Sequence, residues 1–279
     1  MVTLFKNKAV KIISVILAVV ILIVATLSIG TAFSKNYKQW KPNYKMQDIK
    51  TVLQKTELSA DDYALLFNQT GLTKIGVDAM ISAGRILDIV TLQQQYFNNQ
   101  RYFYKSFSPF MGYMINEEEL IVNAPLENGD ILFSPSTFVS MIKMGHSSIV
   151  VNEELSTTAQ AIGYGKPVSF IHASNIFIRP SFVIARVKAS KQTRDEVASY
   201  VCNELYGKGY DILAGIFEKK APNSIKKTHC SHLIWYAYNH FGIDIDATRG
   251  KIVTPLDLVL STNVEIIQIF GLNPKQFNL

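Results

Sequence analysis

The most apolar stretch lies near the N-terminus, where a charge-free run from Ile12 to Ser34 follows Lys6, Lys8 and Lys11. Its Ile/Val/Leu/Ala-rich centre, residues 12–29, is long enough to cross a hydrocarbon layer of about 30 Å at 1.5 Å per residue. That length favours an uncleaved signal-anchor over a cleaved signal, although Gly30-Thr31-Ala32 offers a small-residue cleavage site. Lysines on both sides give no clean orientation by charge. A single N-terminal anchor before a large domain leads us to expect a single-pass protein of the cell membrane with its main domain extracytoplasmic. The expected anchor segment is 1–35.

Residues 36–115 read as a small helical, membrane-proximal module. Ser59-Ala60-Asp61-Asp62 has the form of a helix start, Tyr63, Leu66 and Phe67 supply an apolar face, and Gly71 is a natural stop. A second helix is expected from Ile75 to Leu87, running on into Thr91–Tyr96. The aromatic segment Tyr102–Phe107 fits core, interface or a lip over a site equally well.

From 116 to 279 the period changes to that of short β-strands. Runs appear at Asp130–Phe133, His146–Val151, Thr157–Ile162, Val168–Ile171 and Phe182–Val187. A helix is expected over Thr193–Leu205, opened by the capping-box form Thr193-Arg194-Asp195-Glu196. A further helix opens at Thr228 and stops at Gly242, and Val264–Phe270 closes the chain as a strand. Strands followed by helices with hairpin-length links predict an α+β fold, an antiparallel sheet packed on helices.

Composition narrows the function classes. The chain has 279 residues, nearly half of them hydrophobic, which is enough for a substantial core. Its net charge of +6 comes from scattered lysines. No basic stripe with interleaved aromatics is present, so nucleic acid is not an expected partner. Two cysteines make a disulfide framework an unsupported expectation. Cys230 and His232 are close, but no second pair has ligand spacing, so neither a metal nor a cofactor is expected.

The candidate chemistry sits in Thr228-His229-Cys230-Ser231-His232-Leu233-Ile234-Trp235. With Thr228 as N-cap, Cys230 lies in the first helical turn, where unpaired N–H groups and the helix dipole favour thiolate over thiol. Cys230, Ile234, Ala237 and Phe241 share one stripe, which turns the sulfur toward the body of the fold. Cys202 shares a stripe with Val197, Ala198, Val201 and Leu205 and reads as a core residue. If Asn152-Glu153-Glu154 closes a hairpin centred on Glu153, His146 faces Gln160, and the glutamine can orient the ring. A slip of one residue would undo this. An ordinary core cysteine and a strand-end surface histidine are the alternative readings. His229 is placed at the mouth of the site, His232 in solvent, and His172 is the second choice of base.

Gly129-Asp130-Ile131-Leu132-Phe133, Gly145-His146-Ser147-Ser148-Ile149-Val150, Ala159-Gln160-Ala161, Val183-Ile184-Ala185-Arg186, Gly207-Lys208-Gly209-Tyr210-Asp211 and Cys230–Tyr238 together resemble, in order, the series of one family. It is the permuted papain-like hydrolases, the YiiX-like group of the NlpC-type superfamily, more distantly related to lecithin retinol acyltransferase. The resemblance covers residues 120–270. It implies a permuted papain-like domain with Cys230 as nucleophile, His146 as general base and then acid, and Gln160 as orienting residue. Family members commonly carry glutamate where Gln160 stands. The resemblance further has Tyr210 and Asp211 line or brace the site and makes Asp130 architectural, with Arg186 either bracing the site or exposed. With His229 at the mouth, Tyr210, Asp211 and His229 are the residues expected against substrate. The implied activity is hydrolysis of an amide or ester through an acyl-enzyme. The expected anchor points to a peptidoglycan peptide as substrate, and the acyltransferase relatives with the aromatic stretch Tyr102–Phe107 point to an acyl lipid as the alternative. A non-catalytic envelope-binding module is the reading from another class.

Overall fold

The computed structural model describes the chain except residues 1, 35–36, 99, 109–110, 118, 140–141, 218 and 278. Side chains are also undescribed over 2–7, 9, 27–28, 30–34 and 107–108. The expected boundary between anchor and helical module, at 35/36, therefore falls outside the described residues.

The first helix, α1 (Val2–Ser34), runs through the N-terminal apolar segment. The expected membrane span is nevertheless overturned: no helix among the described residues is long and apolar enough to cross a membrane.

Four helices follow: α2 (Lys50–Leu53), α3 (Ala60–Thr70), α4 (Lys74–Ser82) and α5 (Ile86–Phe97). At the expected start of α3, Ser59 and Asp62 form a capping box, and Gly71 ends the helix. The single long helix expected after it is instead two, because Gly84 takes a left-handed turn at φ 69° between α4 and α5. Only glycine adopts that turn without strain.

The rest is mainly β. In chain order come β1 (Tyr102–Ser108), β2 (Met111–Asn116), β3 (Ile131–Ser134), β4 (Thr137–Val139), β5 (Ile142–Lys143), β6 (His146–Asn152), β7 (Thr157–Gln160) and β8 (Ser169–His172). Then follow α6 (Ser174–Phe177), β9 (Phe182–Val187), α7 (Lys191–Tyr200) and a π-turn over Val201–Leu205. The strands β10 (Gly209–Tyr210) and β11 (Lys227–Thr228) precede α8 (Cys230–His240), α9 (Pro255–Leu260) and β12 (Val264–Phe270). Ser190, not Thr193, caps α7, so that helix starts two residues earlier than its sequence suggests.

The main sheet is antiparallel in the order β12-β9-β3-β6-β7-β8, and the aromatic segment Tyr102–Phe107 belongs to a second sheet, β1-β2-β4-β5. Alternation decides which residue serves which face of the main sheet. Ile131, Phe133, Ile149, Val183 and Ala185 pack on one side with Val197 and Val201 and with Leu233, Ile234 and Ala237 of α8. Leu132, Val150, Ile184 and Phe182 pack on the other with Leu66, Val77, Met80, Ile89 and Leu92 of α3 to α5. Both faces are thus covered, which is why these strands read as continuous apolar runs. The architecture is α+β, with helix α8 laid against the β6 side of one face.

Candidate active site

His146 opens β6 directly after Gly145, whose φ is 72°. A Cβ at Gly145 would stand 3.0 Å from the Phe133 ring, so the chain enters the strand at a point that only glycine fills comfortably. Pairing of His146 with Ser134 in β3 fixes its place in the sheet.

The register between β6 and β7 differs from the sequence expectation. Ile149 faces Ala159 and Val150 faces Thr158, with a bulge before Asn152. In this register Ser148, not His146, lies opposite Gln160. The difference is two residues, so every side chain keeps its face. Gln160 is then the diagonal neighbour of His146, within reach of a long side chain. The expected contact is made: His146 Nε2 and Gln160 Oε1 are 2.8 Å apart.

A hydrogen-bond chain sets the tautomer. The Thr158 hydroxyl donates to the Ile171 carbonyl at 2.8 Å. Its oxygen can then only accept, and it takes a 2.8 Å hydrogen bond from Gln160 Nε2. That turns Gln160 Oε1 toward His146, where it accepts from Nε2–H. Nδ1 is left as the lone-pair nitrogen, the one a base needs. Burial, assisted by the nearby Arg179 charge, pushes His146 down to about 3, with the Gln160 bond opposing. The imidazole is therefore neutral at physiological pH.

Cys230 is the first residue of α8, and it is half-buried. The cap is His229 rather than Thr228: its side chain accepts from the His232 N–H. Thr228 instead meets His232 Nδ1 at 2.9 Å. His232 is buried, contrary to its expected place in solvent, because its other nitrogen reaches the Lys220 carbonyl at 2.8 Å. His229 is also buried, and its Nε2 meets no partner at hydrogen-bond geometry among the described residues, although the Ala214 carbonyl acts on the ring. Burial first, and His232 second, push His229 down to about 3.

Cys230, His146, His229 and Tyr210 line one cavity of about 450 Å³. Its walls are largely apolar, with Met111, Phe133, Val139, Ile212, Leu256 and Phe277 among them. Tyr210 arrives there because β10 runs parallel to β11, pairing Tyr210 with Thr228 just ahead of Cys230. Asp211 does not line the cavity. Its carboxylate accepts from the Leu213 N–H, and its own N–H bonds the Thr228 carbonyl, so it braces the turn below the site.

Other sequence candidates lie elsewhere. His172 ends β8, is exposed, and bonds Ser174. Cys202 is half-buried in the π-turn rather than in the core. Arg186 is buried and grips Asp130 through two bonds of 2.8 Å, and it also contacts Glu127. This pairing ties β9 to the start of β3 and stands apart from the cavity. Among the described residues, no group of three or more His, Cys, Asp or Glu side chains is placed to share a metal ion.

Sequence reasoning missed Arg179. It is 3% exposed and follows α6 in the apolar run Ile176-Phe177-Ile178-Arg179. A lone cation in such a run was the available signal. Burial pushes Arg179 down to about 10.

No protein-family model, curated protein or solved structure matches this chain. The assignment of a role to the cavity therefore rests on its own geometry and on the motif series in the sequence.

Proposed function

We infer that the protein is a cysteine hydrolase of the permuted papain-like kind, cleaving an amide or ester through an acyl-enzyme. The observation that carries this reading is the shared cavity: Cys230 at a helix start and a neutral His146, its tautomer set by Gln160, form one wall system. In the reaction, His146 Nδ1 takes the Cys230 proton as sulfur attacks the carbonyl carbon. The Cys230 N–H, one of the donors that a helix start leaves unpaired, serves the developing oxyanion. The tetrahedral adduct collapses as His146 returns the proton to the leaving nitrogen or oxygen. Water then attacks the thioester, His146 accepts its proton, and the acid is released with the thiol restored. Gln160 orients the ring but brings no charge, so it supports an imidazolium less than a carboxylate would. This suits a base that rests neutral and is protonated only in passing.

The apolar walls favour a fatty acyl group over a cell-wall peptide as the part bound beside Cys230. The test is iodoacetamide labelling of the full chain at pH 7, with Cys230 and Cys202 followed separately by mass spectrometry. His146→Ala is expected to slow Cys230 labelling by about tenfold or more while leaving Cys202 unchanged. Equal Cys230 rates in the two proteins would overturn the reading.

A further inference from the structure

A second cavity, of about 180 Å³, adjoins the first and shares Thr137, His146 and Ile162 with it as walls. Its other walls include Gln160, Lys166, Asn175 and Arg179, and no Asp or Glu of the described residues lines it. Arg179 is the notable member. Its Nε donates to the Asn175 carbonyl at 3.1 Å, one terminal nitrogen to Asn175 Oδ1 at 3.0 Å, and the other to the Thr137 hydroxyl. The guanidinium lies over the Tyr113 ring at 4.6 Å. These bonds occupy three of the five N–H groups that an arginine carries. None of these partners is a carboxylate, whereas a charge this deeply buried is ordinarily paired. Arg186 shows the ordinary case in the same chain, with its two bonds to Asp130.

We propose that this cavity is a carboxylate subsite of the Cys230 site, built around Arg179. The substrate class is then a fatty acyl chain joined by an amide or ester to a group bearing a carboxylate, an N-acyl amino acid being the simplest example. This rests on the hydrolase reading above and extends it. The acyl chain lies in the larger apolar cavity, and the leaving group passes toward His146, which protonates it. Its carboxylate pairs with Arg179, whose planar fork keeps two N–H groups unbonded among the described residues, matching the two oxygens. The bond changes are those already described: the products are a fatty acid and an amino acid, with one water consumed. The Cys230 thiolate is the alternative counter-ion, since Arg179 and Cys230 interact electrostatically. It is less suited because Cys230 does not line the smaller cavity. An occupied subsite also removes the uncompensated charge beside His146, easing protonation of the ring when it is needed.

The experiment uses the full chain, with N-dodecanoylglycine and its neutral analogue N-dodecanoylglycinamide as probes. Each is tested for protection of Cys230 against iodoacetamide and for release of dodecanoate by mass spectrometry. The glycine conjugate is expected to protect at a concentration about tenfold lower than the amide does, the scale of a charge-assisted pair. In Arg179→Gln the ratio should fall to about one. Equal protection in the wild type, or a preference that survives Arg179→Gln, overturns the proposal. Should that variant not fold, the wild type alone decides through the His146 ring resonances. Acetate should shift them and acetamide should not, and no response to acetate overturns the subsite. Acetate also separates a free anion from a carboxylate carried by the substrate. If acetate acts but neither conjugate protects Cys230, the cavity binds an anion that does not belong to the substrate, and the substrate class fails. If His146→Ala leaves Cys230 labelling unchanged while acetate still shifts His146, the hydrolase reading fails and the anion site stands.

Discussion

Lowering the pH from 7 to 5 should destabilise the fold through two buried imidazoles. Burial, with Arg179 adding to it, holds His146 at about 3, and burial, with His232 adding to it, holds His229 at about 3. In the unfolded chain both return to about 6.5. Between those values the unfolded chain binds protons that the folded chain refuses. The contribution to stability is therefore complete above about pH 6.5 and is lost as pH falls toward 3. Each pH unit below 6.5 removes about 1.4 kcal/mol per group, so the step from pH 7 to 5 costs about 2 kcal/mol for each histidine. Together they cost about 4 kcal/mol, a large part of the stability of an ordinary domain. His232 is shifted down as well, by burial first, and adds in the same direction. Most carboxylates titrate below this window and contribute little to it. Urea unfolding at pH 7 and at pH 5, followed by circular dichroism, measures the loss. His146→Gln and His229→Gln each remove one titrating ring. The pH-dependent loss in each variant should then be smaller than in the wild type by about 2 kcal/mol. A loss of the same size in all three proteins would refute the argument, because it would mean that these rings are protonated in the folded state or never buried.

Two further substitutions test the frame of the site. Gln160→Ala leaves His146 Nε2–H without its acceptor in a buried place, which should cost about 1–3 kcal/mol in urea unfolding and slow Cys230 labelling as the ring loses its orientation. Unchanged labelling would remove Gln160 from the site. Arg186→Ala leaves the fully buried Asp130 carboxylate unpaired. It should lower stability by about 3–5 kcal/mol without changing the ratio of Cys230 to Cys202 labelling in the protein that remains folded.

Local rules were legible in the chain, and the reasons are local. Strand period put Ile131 and Phe133 on one face and Leu132 on the other, and the cap pair Ser59 and Asp62 announced α3. The same period placed His146 and Gln160 on one face, and that placement survived a two-residue change of register because parity is all that it needs. Cys230 at a helix start followed from the polar residues ahead of an apolar run.

What the tertiary structure decided were the choices between partners far apart in sequence. His232 is buried because the Lys220 carbonyl and Thr228 close around it, and no periodicity encodes that meeting. Arg179 meets Thr137 from 42 positions along the chain, and only the fold shows that the pair walls a cavity beside His146. Hydropathy alone made residues 12–29 a membrane span, an assignment that the described helix does not support. Periodicity reports which way a side chain points, because backbone geometry fixes that within a few residues. Which group waits there depends on long-range packing, where burial and charge are settled by the whole chain at once.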